Sequence, residues 1–250
     1  MTRRLALSLA AALLAACSTG DAAAKRSATP SVVAQNPAPS APAAAPAAAP
    51  AATPAATPAA NASVKRDSLI EAADRGRVLG SEKAGTWLVI ISDFQCPYCR
   101  QWHVESFAAI KKEYVDTGKL RVAYLNFPLS MHPNAMPAAH ASMCASAQGK
   151  FWETEAKIFD SQKQWEKLPD ARAFFDSVAI ATGVNAAQQH ACTQTQHMAS
   201  LIDADRQRGE SAGVQSTPTF FVGQRQVLGA IPITEFRRVI DSVLAASGKR

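Results

Sequence analysis

The sequence predicts a single α/β domain in which a block of helices separates two early strands from a late hairpin. Three stretches carry that prediction. "TWLVII" (86–91) and "LRVAYLNF" (120–127) flank a helical pattern, and "STPTFFVGQRQVLGAI" (216–231) contains two short strands around a turn at Gly223-Gln224. Between them, "AMPAAHASMCASAQGKFWETEAKIFD", "ARAFFDSVAIATG" and "AAQQHACTQTQHMASLIDADRQRGESAG" read as helix and place the insertion at about 131–212.

The first strand is a continuous β-branched and aliphatic run, the pattern expected when both faces are buried. It feeds through "SDFQ" into Cys96. Beyond it, His103, Phe107, Ile110 and Tyr114 fall on one helical face, Arg100, Gln101, Lys111 and Lys112 supply polar positions, and Gly118 ends the helix. Pro97 is tolerated in the first turn, where its missing N–H is not needed. Cys96 therefore stands at a helix N-terminus. Unpaired N–H groups and the helix dipole there stabilise a thiolate, making Cys96 a good nucleophile and leaving group. Cys99, one turn in, can attack a mixed disulfide on Cys96. A redox dithiol is the favoured reading. A zinc site lacks a second close Cys/His pair, since Cys144 and Cys192 stand far apart, and haem attachment needs histidine where Arg100 stands. Two inert buried thiols are the remaining alternative. The second strand alternates and stops at Pro128. The last helix carries Phe236, Val239, Ile240, Val243 and Leu244 on one face.

This order, with Cys96-Pro97-Tyr98-Cys99 early and Thr217-Pro218 opening a late strand, resembles the thioredoxin superfamily. More specifically it resembles the DsbA-like thiol–disulfide oxidoreductases, whose thioredoxin-like fold carries a helical insertion. "SDFQCPYC", "FPLSMHPNA", "CASAQGKFW" and "GVQSTPTFFVG" carry the resemblance, which runs from about Leu79 to Leu244. It implies that Pro218 is cis and packs beside the dithiol, and that the backbone of Thr217 binds an extended substrate peptide. It also implies exchange through Cys96 and Cys99, with Pro97 and Tyr98 in the active-site loop. The partners would be cysteine-containing exported proteins and an envelope redox partner, and no cofactor or metal would be needed. One departure stands out. Many thioredoxin-like proteins carry a buried acid six residues before the first cysteine, and here that position is Ile90. Asp93 reads as a loop or capping carboxylate, which leaves water to carry the proton of Cys99. Cys144 and Cys192 are either small buried helical residues or a disulfide across the insertion. An exported protein favours the disulfide, and some DsbA-like proteins have one in this region. His103 either faces Cys96 or sits half-exposed on its helix. His132, His140, His190 and His197 suggest no ligand set, and Phe151 and Trp152 read as packing residues.

Ahead of the domain, "MTRR" and the apolar run Leu5–Ala16 form an export signal over residues 1–16, too short to span a bilayer. Leu14-Ala15-Ala16-Cys17 resembles a bacterial lipobox. The resemblance implies cleavage before Cys17 and lipid on its thiol, which accounts for the odd count of five cysteines. The alternative is an ordinary secretory signal. Residues 17–63 then form a tether. Prolines 42, 46, 50, 54 and 58 interrupt alanine runs, so the segment stays extended, with a reach on the order of 100 Å. The domain occupies 64–250. The formal charge of +6 overstates its basicity, because Arg3, Arg4, Lys25 and Arg26 lie outside it, and it has no basic tract to support nucleic-acid binding. Ser18 after the lipidated cysteine points to the outer membrane, at the periplasmic face. Among directions of exchange, oxidase is favoured over reductase or isomerase. A metallochaperone on the same scaffold is the competing class.

Overall fold

Asp67 caps the first helix of the domain, its carboxylate accepting from the Leu69 and Ile70 N–H groups. The computed structural model describes residues 67–248. The signal segment, Cys17 and the Pro/Ala tether lie outside the described residues. Helix α1 (Ser68–Gly76) leads to a two-residue strand, β1 (Val78–Leu79), and then to β2 (Thr86–Ser92). α2 (Pro97–Trp102) continues through a π-helical turn (His103–Phe107), α3 (Ala108–Ile110) and a second π-helical turn (Lys111–Val115). Through both π turns Phe107, Ile110 and Tyr114 stay buried. Gly118 follows with φ of +75°, a conformation that suits a residue without Cβ at the end of a helix. β3 (Leu120–Asn126) comes next, then the helices α4 (Ala135–Ser146), α5 (Phe151–Asp160), α6 (Gln162–Trp165), α7 (Arg172–Ile180), α8 (Ala186–Gln194) and α9 (Ala199–Ser211). The hairpin of β4 (Thr219–Val222) and β5 (Arg225–Leu228) turns at Gly223-Gln224, and α10 (Ile233–Ser247) closes the domain.

The five strands lie in the order β1-β3-β2-β4-β5. β2 and β3 are parallel, with Ile90 opposite Tyr124, and the other pairs are antiparallel. The α/β class with one helical insertion expected from the sequence is the architecture found. α1 and β1 lie in a region for which the sequence reading named no element. The expectation that β2 is buried on both faces needs correction. Trp87 is 37% exposed, because the start of the strand is uncovered on that side and its ring stacks with Arg121, whose guanidinium lies 4.7 Å from the ring centroid. Burial on both faces holds only from Ile90 to Ser92, where the strand approaches the dithiol.

One core joins sheet and insertion. Phe94 stacks on Tyr124 and touches Phe159, while Tyr124 meets Phe151, so residues flanking β2 and on β3 interlock with α5. On the other side Trp102 packs on Phe220 and Phe236. A disulfide joins Cys144 on α4 to Cys192 on α8. At the end of β3, buried Arg77 pairs with buried Asp205, which also accepts from the main-chain and side-chain N–H groups of Asn126. That network fixes α1, β3 and α9 to one another. Removing either charge would leave the other with only a half-exposed partner, Asp74 for Arg77 or Arg208 for Asp205.

Candidate active site

β2 delivers the chain into a tight turn at Asp93, and α2 starts on its far side. Asp93 is buried, and its Oδ1 accepts from the N–H of Gln95 at 2.7 Å and of Cys96 at 3.2 Å. Its own N–H points at the Cys99 sulfur, 3.5 Å away. Of the loop or capping role expected of Asp93, the loop role is the one present, and it extends further than the sequence suggested. Oδ2 accepts from the N–H of Leu129 and faces Nδ1 of His132, both at 2.8 Å. The insertion grips the same turn. Gln162 donates to the carbonyls of Phe94 and Cys96, and Gln95 bridges the Glu166 carbonyl and the Asn134 N–H. Sequence reading missed these contacts, because the partners stand far along the chain from the turn and no local pattern connects them.

Cys96 occupies the N-cap position of α2, with Pro97 at the first helical residue. Both cysteines are buried and unbridged to one another. Their environments differ sharply. The Cys99 thiol hydrogen-bonds the Cys96 sulfur, and Thr217 and the N–H groups of Cys99 and Tyr98 add to this. Against the opposing effect of burial, they lower the Cys96 pKa to about 6. Burial pushes Cys99 well above its ordinary value, and the neighbouring Cys96 charge adds to that. The two shifts run in opposite directions, toward the thiolate at Cys96 and toward the thiol at Cys99.

The Thr217-Pro218 bond is cis, and the Thr217 carbonyl lies 3.4 Å from the Cys96 sulfur. β4 begins directly after it and pairs with the end of β2, which brings the two ends of the domain together. Pro97 and Tyr98 are exposed beside the dithiol, Tyr98 by 63%. The structure thus gathers Cys96, Pro97, Tyr98, Cys99, Thr217 and Pro218 at one place. Cys144 and Cys192 sit apart, in the helical layer. His103 does not take the orientation toward Cys96 that the sequence left open. Its Nδ1 lies 3.0 Å from Oε1 of Glu155, and its ring stacks on Phe159, because the helix turns that face toward α5. Among the described residues no group of three or more His, Cys, Asp or Glu side chains could hold a metal ion.

A family model described as thioredoxin matches residues 72–242. The chain belongs to the thioredoxin family. The chain is similar to the Na(+)/H(+) antiporter NhaA 3 of Salinispora tropica, 29% identical over 178 residues. That match covers 71% of this chain and 26% of the antiporter, so the chain spans about a quarter of that relative's length. Disulfide bond formation protein D of Bacillus subtilis is 21% identical over 169 residues, 67% of this chain and 76% of that protein. The crystal structure of oxidised BdbD from Bacillus subtilis superposes with a TM-score of 0.62 at 23% identity, covering 68% of this chain and 94% of that one. The likeness therefore takes in the helical insertion as well as the thioredoxin sheet.

Proposed function

We propose that the domain catalyses thiol–disulfide exchange on exported proteins through Cys96 and Cys99, and that it works as an oxidase. The observation that carries this reading is the placement of Cys96. Its sulfur stands at the start of α2 against the Thr217 carbonyl, with Cys99 buried behind it. In the oxidised protein a substrate thiolate attacks the Cys96 sulfur. The Cys96–Cys99 bond breaks, Cys99 leaves with the electron pair and is protonated, and a mixed disulfide to Cys96 forms. A second substrate thiolate then attacks the substrate's own sulfur in that mixed disulfide. Cys96 leaves as a thiolate, the substrate gains a disulfide, and the domain is left as a dithiol for an envelope redox partner to reoxidise. A leaving group with a pKa of about 6 departs readily and stabilises the reduced domain, which favours the oxidase direction. Thr217 and Pro218 would present main chain to an extended substrate, beside the exposed Pro97 and Tyr98. The Cys144–Cys192 bridge would be structural. Cys17 would carry lipid and hold the domain at the periplasmic face of the outer membrane, on the tether of residues 17–63.

Trapping tests the assigned roles. Offered substrates that already carry a disulfide, reduced Cys99→Ser should accumulate them as mixed disulfides on Cys96, since the domain keeps no second thiol to release them. Cys96→Ser should capture little and lose exchange activity. The reverse pattern, or wild-type activity in both variants, would sink the reading.

A further inference from the structure

Three helices of the insertion leave a cavity of about 330 Å³ between them, at the small end of the range for ligand pockets. α4 contributes Met136, Pro137 and His140, α7 contributes Arg172 and Asp176, and α8 contributes Thr193. The Cys144–Cys192 disulfide ties α4 to α8, so two of these walls are covalently joined. Neither the dithiol nor the Thr217-Pro218 segment lines this cavity.

Its polar groups are incomplete as they stand. His140 is 7% exposed, and neither ring nitrogen has a hydrogen-bond partner among the described residues. Nδ1 is enclosed, which leaves Nε2 as the nitrogen open to the cavity. Burial lowers the pKa of this histidine, with Asp203 opposing, so a neutral ring can carry its proton on Nε2 as a donor. Asp176 has the opposite need. Its side chain is 14% exposed, and its Oδ2 faces Nδ1 of His190 at 3.0 Å and accepts from the Thr193 hydroxyl at 3.2 Å. Oδ1 is buried without a partner, and among the described residues no lysine or arginine pairs with this carboxylate. Arg172 supplies a positive group on the same cavity. Asp170 holds its Nε, while its terminal nitrogens make no hydrogen bond among the described residues. Gln196, which also lines the cavity, holds a φ of +50°, a backbone conformation that costs a non-glycine residue energy and recurs at ligand clamps.

We propose that this cavity binds a free apolar α-amino acid, its ammonium against Asp176 and its carboxylate against Arg172 and Nε2 of His140. Met136, Pro137 and Ala141 supply apolar surface for the side chain. The two charges of the ligand answer the two incomplete groups of the wall. An amine alone would leave Arg172 and His140 without an acceptor, and an acid alone would bring a second negative charge to Asp176. Because α4 and α8 are joined by the disulfide, the walls are held in place before the ligand arrives, which lowers the ordering cost of binding. The site stands apart from thiol exchange and does not depend on it.

Isothermal titration calorimetry of the full chain with L-leucine tests the site. Isocaproate and isoamylamine serve as the same skeleton without the amine and without the carboxylate. L-Leucine should bind saturably, and each analogue should bind at least about tenfold more weakly, the loss expected when one charge-assisted contact goes. Arg172→Ala and Asp176→Asn should each weaken L-leucine binding by about tenfold or more. Arg172 is largely exposed, so its variant should keep the wild-type melting temperature even if Asp176→Asn, whose contacts with His190 and Thr193 change, does not. Cys96→Ser should bind L-leucine as the wild type does, which keeps this site separable from the exchange reading. No heat from L-leucine at millimolar concentration would overturn the proposal. So would equal binding of either analogue, wild-type affinity in Arg172→Ala, or loss of binding in Cys96→Ser.

Discussion

At Cys96 the proposed reactivity comes down to one titration. A cysteine whose pKa is lowered to about 6 gains thiolate as pH rises through that value and is fully ionised well before a free thiol would be. Iodoacetamide should therefore modify reduced Cys96 at a rate that climbs with pH, turns over near 6 and is flat above about 7.5, with Cys99 unmodified on that timescale. An inflection near the free-thiol value would remove the case for a stabilised thiolate. Much of this was legible, since Cys96 follows a strand and precedes Pro97 and a helical pattern, which already puts a thiolate at a helix start. The second layer was not. Asp93 could be read as a loop carboxylate from its position in the turn, but its contacts with Leu129 and His132 depend on how β3 returns beside β2. Glu155 was one acid among twenty acidic residues until the fold enclosed it.

At the scale of elements, legibility followed local pattern. The hairpin could be placed because apolar runs flank a glycine, and Gly223 does adopt a φ of +57°. β1 could not, because two residues make a strand only when β3 is beside them. α1 left usable signals in its Asp67 cap and in Leu69, Ile70 and Ala73, but its reason for being there is tertiary. Ser146 on α4 donates to the Ala73 carbonyl at 2.6 Å, and a Cβ built on Gly76 would lie 2.4 Å from the Ser146 carbonyl oxygen. Gly76→Ala should push α1 off α4 and lower stability by about 1–3 kcal/mol in urea unfolding, with the dithiol chemistry unchanged. The Cys144–Cys192 bridge spans 48 positions between α4 and α8, and closing so long a loop restricts the unfolded chain by about 4 kcal/mol. Replacing both cysteines with alanine should lower the unfolding free energy by up to that amount and leave Cys96 alkylation as it was. A loss of exchange activity in a folded double variant would give the bridge more than a structural part.

Over the whole molecule, the insertion forms one wall of the redox turn. Gln162 on α6 and the carbonyl of Glu166 just after it meet the turn, and Phe159 packs on Phe94 just ahead of Cys96. Leu14-Ala15-Ala16-Cys17 motivates the prediction for the full chain. Cys17→Ser should move the protein from membrane to soluble fractions with its melting temperature unchanged, and unaltered membrane association would end the lipidation proposal. The sheet bears on a different hazard. An enzyme that handles unfolded chains meets many unpaired strands, and a long bare sheet edge would enlist them as extra strands of its own. Here the sheet ends in two residues at β1 and four at β5, where Arg225 and Gln226 are exposed. Such short ladders hold a passing strand too weakly to nucleate growth. With unfolded substrates of the kind proposed, crowded copies would have little to polymerise on, and the sheet would resist becoming the seed of an aggregate.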